Sequence, residues 1–264
     1  MRAWNRRQRA LGLLLFTAVL LLAVTVSGAL LTDRATAADF SRTNLAPGPD
    51  GLFGTDWLGR DMLSRTLAGL SLSIRIGALT ACVSAVIALA LGVAAALSRW
   101  ADAVLSWLID LFLGIPHILL VMLISLACGR GFLGVVAGVS LSHWPSLARL
   151  VREEVLQLRQ APYLLAAEKL GVPRGQLVRR HLLPHLLPQF LTGLILQFPH
   201  AILHEASVTF LGFGLSSEQP AIGVILSESM QYLTTGAALV GVVLLFAGLG
   251  EQARRLLDPS SLHQ

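Results

Sequence analysis

His200 and His204 stand four residues apart inside an apolar run, with Glu205 directly after the second. At helical spacing, residues four apart share one face. Two neutral imidazoles on one face are spaced to contact one borderline metal ion. Pro199 leaves the Ile195 carbonyl without its helix donor and so adds an oxygen acceptor beside them. Ionisable groups inside a membrane span are costly and face a pathway or a partner. His200, His204 and Glu205 therefore read as lining a substrate pathway, with His200 and His204 as candidate metal contacts. A structural alternative stays open, because a membrane histidine also serves as a bond to a carbonyl on a neighbouring helix. His117 and His143 are read in that structural way. His181 and His185 are also four apart, but they flank Pro184 in a polar segment and are read as interfacial.

Covalent chemistry has little to work with. The single lysine, Lys169, follows Glu168, so no Gly-Lys-[Ser/Thr] phosphate loop exists. Neither His-Glu-x-x-His nor Gly-x-Ser-x-Gly occurs. Cys82 and Cys128 lie in or beside apolar runs and have neither disulfide-framework nor metal-ligand spacing. The chain reads as non-catalytic and as binding no cofactor of its own.

The elements that must carry these residues are membrane helices. Of 264 residues, 55% are hydrophobic and 13% charged, against roughly a quarter charged in a soluble domain. Runs at 10–31, 71–97, 103–127, 132–151, 188–211 and 236–256 are about the ~20 residues a spanning helix needs. The fifth is the most polar, with Gln197, Pro199, His200, His204 and Glu205, and the third is interrupted by Asp110 and Gly114-Ile115-Pro116-His117. With the N-terminus inside, the basic residues concentrate on the cytoplasmic side, among them Arg6, Arg149, Arg152, Arg159, Lys169, Arg179, Arg180 and Arg254. Both termini are then cytoplasmic. The first run exceeds the roughly 7–15 residues of a signal-peptide core and reads as an uncleaved span. The net charge of +5 is topogenic, and no aromatic-laced basic patch points to nucleic acid. The expected organisation is a tail and first span at 1–31, an outer loop at 32–70, a core at 71–258 with a cytoplasmic loop at 152–187, and a tail at 259–264.

Three segments carry specific patterns. Residues 163–184 include Leu165, Ala166, Ala167, Glu168, Gly171, His181, Leu183 and Pro184. A short helix across 160–175, ended at Gly171 and blocked by Val172-Pro173, is expected, with a second helix starting at the Leu-Pro step. The segment resembles the cytoplasmic loop of ABC importer permeases, E-A-A-x3-G-x9-I-x-L-P, with Leu165 in place of Glu and His181 in place of Ile. Phe53-Gly54-Thr55-Asp56-Trp57-Leu58-Gly59-Arg60-Asp61, with Leu63-Ser64-Arg65, resembles the stretch before the second span of dipeptide, oligopeptide and nickel permeases. Thr55 or Asp56 is expected to cap a helix there, and Asp56, Arg60 and Asp61 to pair. Glu205-Ala206 followed by Ser207 to Leu215 resembles a third segment of the same permeases. The histidines, with Leu141-Ser142-His143-Trp144, look more like the nickel branch.

That resemblance implies an all-α, type I ABC importer permease fold of about six spans in a bacterial inner membrane. It implies a homologous second permease subunit, two ATPase subunits using ATP and Mg, and an extracytoplasmic solute-binding protein. Leu165, Ala166, Ala167, Glu168, Gly171, His181 and Pro184 would form the ATPase-coupling surface, with Glu168 supplying the charge that Leu165 lacks. The expected cargo is nickel or another metal chelate, with di- or oligopeptides as the alternative. A secondary transporter without an ATPase is the reading from another class.

Overall fold

A computed structural model describes residues 6–49 and 51–230. The described chain is helical, and its only β features are the isolated bridges Gly48–Gly51 and Thr55–Asp61. The helices are α1 (Arg6–Leu30), α2 (Thr32–Thr36), α3 (Met62–Leu97), α4 (Arg99–Gly114), α5 (His117–Ala127), α6 (Gly131–Leu158), α7 (Pro162–Lys169), α8 (Arg174–Leu177), α9 (Leu183–Phe210) and α10 (Ile222–Ser229). A 3₁₀ turn covers Phe40–Arg42, and a π turn, Val178–Leu182, joins α8 to α9.

Three described helical stretches are long and apolar enough to cross a membrane: Leu11–Leu30, Met62–Ala95 and Gly175–Phe210. A fourth arises if α4 and α5 count as one span bent by 100°. The bend falls at Gly114-Ile115-Pro116. Pro116 lacks the N–H that would continue α4, and it forces Ile115 out of the helical region. The run expected at 132–151 lies in α6, whose cytoplasm-type charges Arg149, Arg152, Glu153 and Glu154 continue the same rod. The run expected at 236–256 lies outside the described residues, as do both termini. α3 begins at Met62, inside the stretch expected to be loop up to residue 70.

The chain divides into two compact units. One comprises residues 1–77, 130–132 and 202–264. Its apolar centre is Val24, Leu70 and Ile222, with Ile74, Ile202, Ala206 and Leu226 packed around them. The Ser71 hydroxyl donates to the Thr25 carbonyl and ties α3 to α1. The other unit comprises residues 78–129 and 133–201. Its core includes Ala88, Leu105, Ile109, Trp144, Leu147, Val151, Val155, Leu164, Leu177, Leu182 and Leu186. There α6 crosses α5 closely, because a Cβ on Gly138 would stand 2.7 Å from the Val121 carbonyl oxygen. Asp102 pairs with Arg152, and Asp110 with Arg149 at 2.7 Å, so α4 is also tied to α6.

Candidate functional site

The cytoplasm-type segment between α6 and α9 is built by local rules. Pro162 occupies the first turn of α7, where its missing N–H costs nothing. The helix closes in a Schellman motif: the Val172 N–H donates to the Ala167 carbonyl at 3.1 Å and the Gly171 N–H to Glu168 at 3.0 Å. Gly171 has φ +80°, and a Cβ there would meet nothing within 4 Å. The glycine is therefore required by its backbone conformation and not by close packing.

The faces of α7 are unlike. Leu164 is buried and Ala167 half-buried against the core, together with Val172. Leu165, Ala166, Glu168, Lys169 and Leu170 are exposed, Leu170 to 84%. The alanine pair is thus split, Ala166 outward and Ala167 inward. Leu165 and Glu168 share the outward side, so Glu168 stands where it can take the place of the carboxylate that Leu165 lacks.

The second helix begins earlier than the Leu-Pro step suggested. It starts at Arg174 after Pro173 and runs without a break through the π turn into α9. Pro184 is exposed near the start of α9, and the half-buried His181 lies with its ring centroid 6.1 Å from that of Tyr163. His185 approaches Glu154 at 3.3 Å in a largely exposed pair.

Among the histidines of the spans, His200 and His204 keep their expected helical spacing, while His117 and His143 meet in a contact the sequence did not suggest. His200 and His204 stand one turn apart on α9, the first exposed and the second half-buried. His117 and His143, read from sequence as structural, are in edge-to-face contact, with centroids 4.5 Å apart and planes at 88°. His143 Nδ1 lies 2.8 Å from the Val139 carbonyl oxygen. A carbonyl only accepts, so Nδ1 carries the proton and Nε2 is the ligand-type nitrogen. Metal-binding histidines commonly make the same bond to a carbonyl, and so do structural ones. Both are single residues in apolar helices 26 positions apart, and no local pattern could have paired them. Glu205 is fully buried. Its Oε1 accepts from the Thr209 hydroxyl at 3.1 Å, and that hydroxyl accepts from the Leu215 N–H at 3.3 Å.

The outer segment is organised by Asp56. Its Oδ1 accepts from the backbone N–H of Leu58 and of Arg60, and its Oδ2 from Arg60 Nε at 2.6 Å and one Arg65 nitrogen at 2.9 Å. Arg65 also donates to Glu228 at 2.7 Å, and Arg60 reaches Glu228 at 3.5 Å. The Asp56–Arg60 pair is as expected, but the cap of α3 is Asp61, which accepts from the Ser64 N–H and hydroxyl. Thr55 instead closes the turn, its hydroxyl accepting from the Leu45 N–H. Glu228 was not foreseen. Burial pushes its carboxyl up to about 7, with Asp56 adding to the shift and Arg60 opposing it.

A helical chain with three described stretches long and apolar enough to cross a membrane is a membrane component. Residues 87–261 match the family described as binding-protein-dependent transport system inner membrane component. The chain belongs to that family and is an ABC importer permease subunit of the inner membrane. It is 33% identical over 266 residues to a putative peptide transport system permease protein of Brucella suis biovar 1, covering 98% of this chain and 90% of that protein. It is 31% identical over 259 residues to the dipeptide transport system permease protein of Alkalihalophilus pseudofirmus, covering 94% and 84%. A putative peptide permease protein of Brucella ovis is 31% identical over 269 residues, covering 98% and 89%. The family sets aside the secondary-transporter reading, and the relatives favour the peptide alternative over nickel.

Proposed function

We propose that this chain forms half of the translocation pathway of an ATP-driven importer of short peptides. The observation that carries the cargo is the near full-length similarity to proteins named as peptide and dipeptide permeases. A homologous permease subunit supplies the other half. Two ATPase subunits hydrolyse ATP with Mg, and an extracytoplasmic binding protein delivers the solute. The exposed face of α7, with Leu165, Ala166, Glu168 and Leu170, is the ATPase docking surface. Both termini are cytoplasmic, so thiol reagents applied from outside label Ser41→Cys and Ser217→Cys but not Ser98→Cys. Alternating access then opens the gap between the two permeases as the ATPases close. The test of cargo is uptake of labelled di- and tripeptides into proteoliposomes holding the full transporter and its binding protein. ATP-dependent peptide uptake is expected, and its absence with a binding protein that retains no peptide overturns the reading.

A second cargo reading, a transition metal or its chelate, is favoured by the contact of His117 with His143 and by the proton position on His143. His200 and His204 add imidazoles on α9. In that case His143→Ala and the pair His200→Ala with His204→Ala lower uptake of the metal and leave ATPase coupling intact. Unchanged metal uptake in both variants returns the histidines to a structural role.

A further inference from the structure

The helical rod from Arg174 to Phe210 holds three prolines, and among the described residues a π turn precedes only Pro184, while Pro188 and Pro199 stand in regular helix, so proline and packing together account for it. Pro184 has no N–H to give the Arg180 carbonyl, and in an α-helix its ring would collide with that carbonyl. The chain widens instead: the Leu183 N–H donates to the Val178 carbonyl, five residues back, and Val178–Leu182 forms a π turn. The core records the extra residue. Leu177, Leu182 and Leu186 are all buried in one apolar cluster, at intervals of five and then four. In unbroken α-helix, five residues turn the side chain about 140° away from its predecessor at 3.6 residues per turn. The π turn absorbs that surplus and keeps one continuous buried stripe. Arg179 and Arg180 point outward and are exposed, so the turn is gripped by the core on one side only. Single π turns inside α-helices concentrate at functional sites.

We propose that this π turn is the hinge at which α7 and α8 swing against α9 when the ATPase subunits close, set by Pro184 together with the five-residue step from Leu177 to Leu182. The hinge rests on the reading that the ATPase docks on α7. On one side of it are the docking helix and Leu177; on the other is the membrane rod, anchored by Leu186. A hinge of this kind needs a weak turn with alternative hydrogen bonding between two well-packed segments, and Leu182 is the one buried side chain within the turn.

Two measurements on the complete reconstituted transporter decide it. Spin labels at Gln176 and Leu187, both exposed positions, bracket the turn and stop short of Pro188. Their distance distribution is expected to shift between nucleotide-free and ATP-trapped states, while a control pair along the proline-free α3 at Leu79 and Leu91 stays constant. The second is a stiffened register: deletion of Arg180 combined with Pro184→Ala restores four-residue spacing from Leu177 to Leu182 and a continuous α-helix. That variant is expected to assemble and bind ATPase, but to lose solute-stimulated ATP hydrolysis and uptake by about tenfold or more, the scale of a coupling free energy. A stiffened transporter that couples like wild type overturns the hinge. If the variant does not assemble, the label distances decide alone. Cross-linking of Leu170→Cys to the ATPase separates the two claims. With the cross-link present, an unchanged Gln176–Leu187 distance overturns the hinge and leaves docking standing. With no cross-link in an otherwise wild-type transporter, the docking reading fails and the hinge with it.

Discussion

The turn at residues 54–65, expected on the outer side, and the segment at 160–184, proposed to dock the ATPase, are both short, polar and densely patterned, yet they are held in opposite ways. In the outer turn each strong charge is answered from within the chain. Arg60 and Arg65 are 5% and 1% exposed, and both are met by Asp56 and Glu228. The docking segment satisfies its backbone through the Gly171 cap but leaves Tyr163, Leu165 and Leu170 exposed. The first arrangement spends its interactions internally and behaves as an anchor. The second leaves apolar side chains uncovered, as the proposed ATPase contact requires. On that proposal, damage to the first segment harms folding and damage to the second harms assembly.

The largest expected effect breaks the anchor. Asp56→Ala leaves two buried guanidinium groups with Glu228 as their remaining carboxylate partner, and removal of one member of a buried ion pair costs about 3–5 kcal/mol. Detergent-solubilised protein is expected to lose most of its thermal stability or to aggregate. On the docking side, Glu154→Gln removes the carboxylate of the exposed His185–Glu154 contact, and a surface pair is worth about 0–1 kcal/mol. Similar losses in the two variants would erase the contrast. The acidity of Glu228 sharpens it. Burial raises this carboxyl from 4.5 to about 7. A raised pKa in the folded state means that its favourable contribution is complete below the unfolded value and is lost as pH rises through the folded one. The thermal midpoint of wild type is therefore expected to fall between pH 5 and pH 8, and that of Glu228→Gln to fall less. A steeper slope in Glu228→Gln refutes the assignment.

Two glycines test the same comparison at smaller cost. Gly59 has φ +76°, and a Cβ there would lie 1.8 Å from the Asp39 carbonyl oxygen. Gly59→Ala is expected to cost about 1–2 kcal/mol for the left-handed backbone and a further ~1–3 kcal/mol for overpacking. Gly171 has φ +80° and open space around it, so Gly171→Ala costs only the first, about 1–2 kcal/mol. Equal destabilisation in the two alanine variants would mean that the outer turn is no tighter than the docking loop.

The docking segment was legible because its structure is decided by neighbours in sequence. Pro162 starts α7 and Gly171 with Pro173 ends it, and each acts within one turn of itself. The outer turn was half legible. Asp56 and Arg60 are four apart and their pairing follows, but Glu228 is 163 residues beyond Arg65 and no local pattern announces it. The cap was misplaced for a related reason. Thr55, Asp56 and Asp61 are all competent acceptors, and Asp56 is committed to the two arginines, which leaves Asp61 for α3. The contact of His117 with His143 depends on how α5 meets α6, and periodicity does not encode that. Cargo was the least legible feature. Peptide and metal permeases share the segments that define the machine, and the histidines that prompted nickel are single positions that packing alone also explains. The π turn was not legible: Pro188 and Pro199 stand in regular helix, so a proline alone does not announce one, and the five-residue step from Leu177 to Leu182 emerges only from which leucines are buried.

The smallest effect on stability belongs to the residue most tied to assembly. Leu170 is 84% exposed on the outward side of α7, so Leu170→Ser removes almost no packing and is expected to change stability by no more than about 0.5 kcal/mol. If the ATPase covers this side chain, the same change removes the burial of a leucine, worth roughly 1.5–3 kcal/mol. ATPase affinity for the permease pair in nanodiscs is then expected to fall about 10–100-fold, with the thermal midpoint unchanged. The dissociation of the two readouts is what distinguishes an interface from an anchor, because Asp56→Ala should move stability first and affinity only as a consequence. An unchanged dissociation constant for Leu170→Ser would show that the exposed leucine faces lipid or solvent in the assembled transporter, and that docking is carried by the Leu165, Ala166 and Glu168 side of the helix alone.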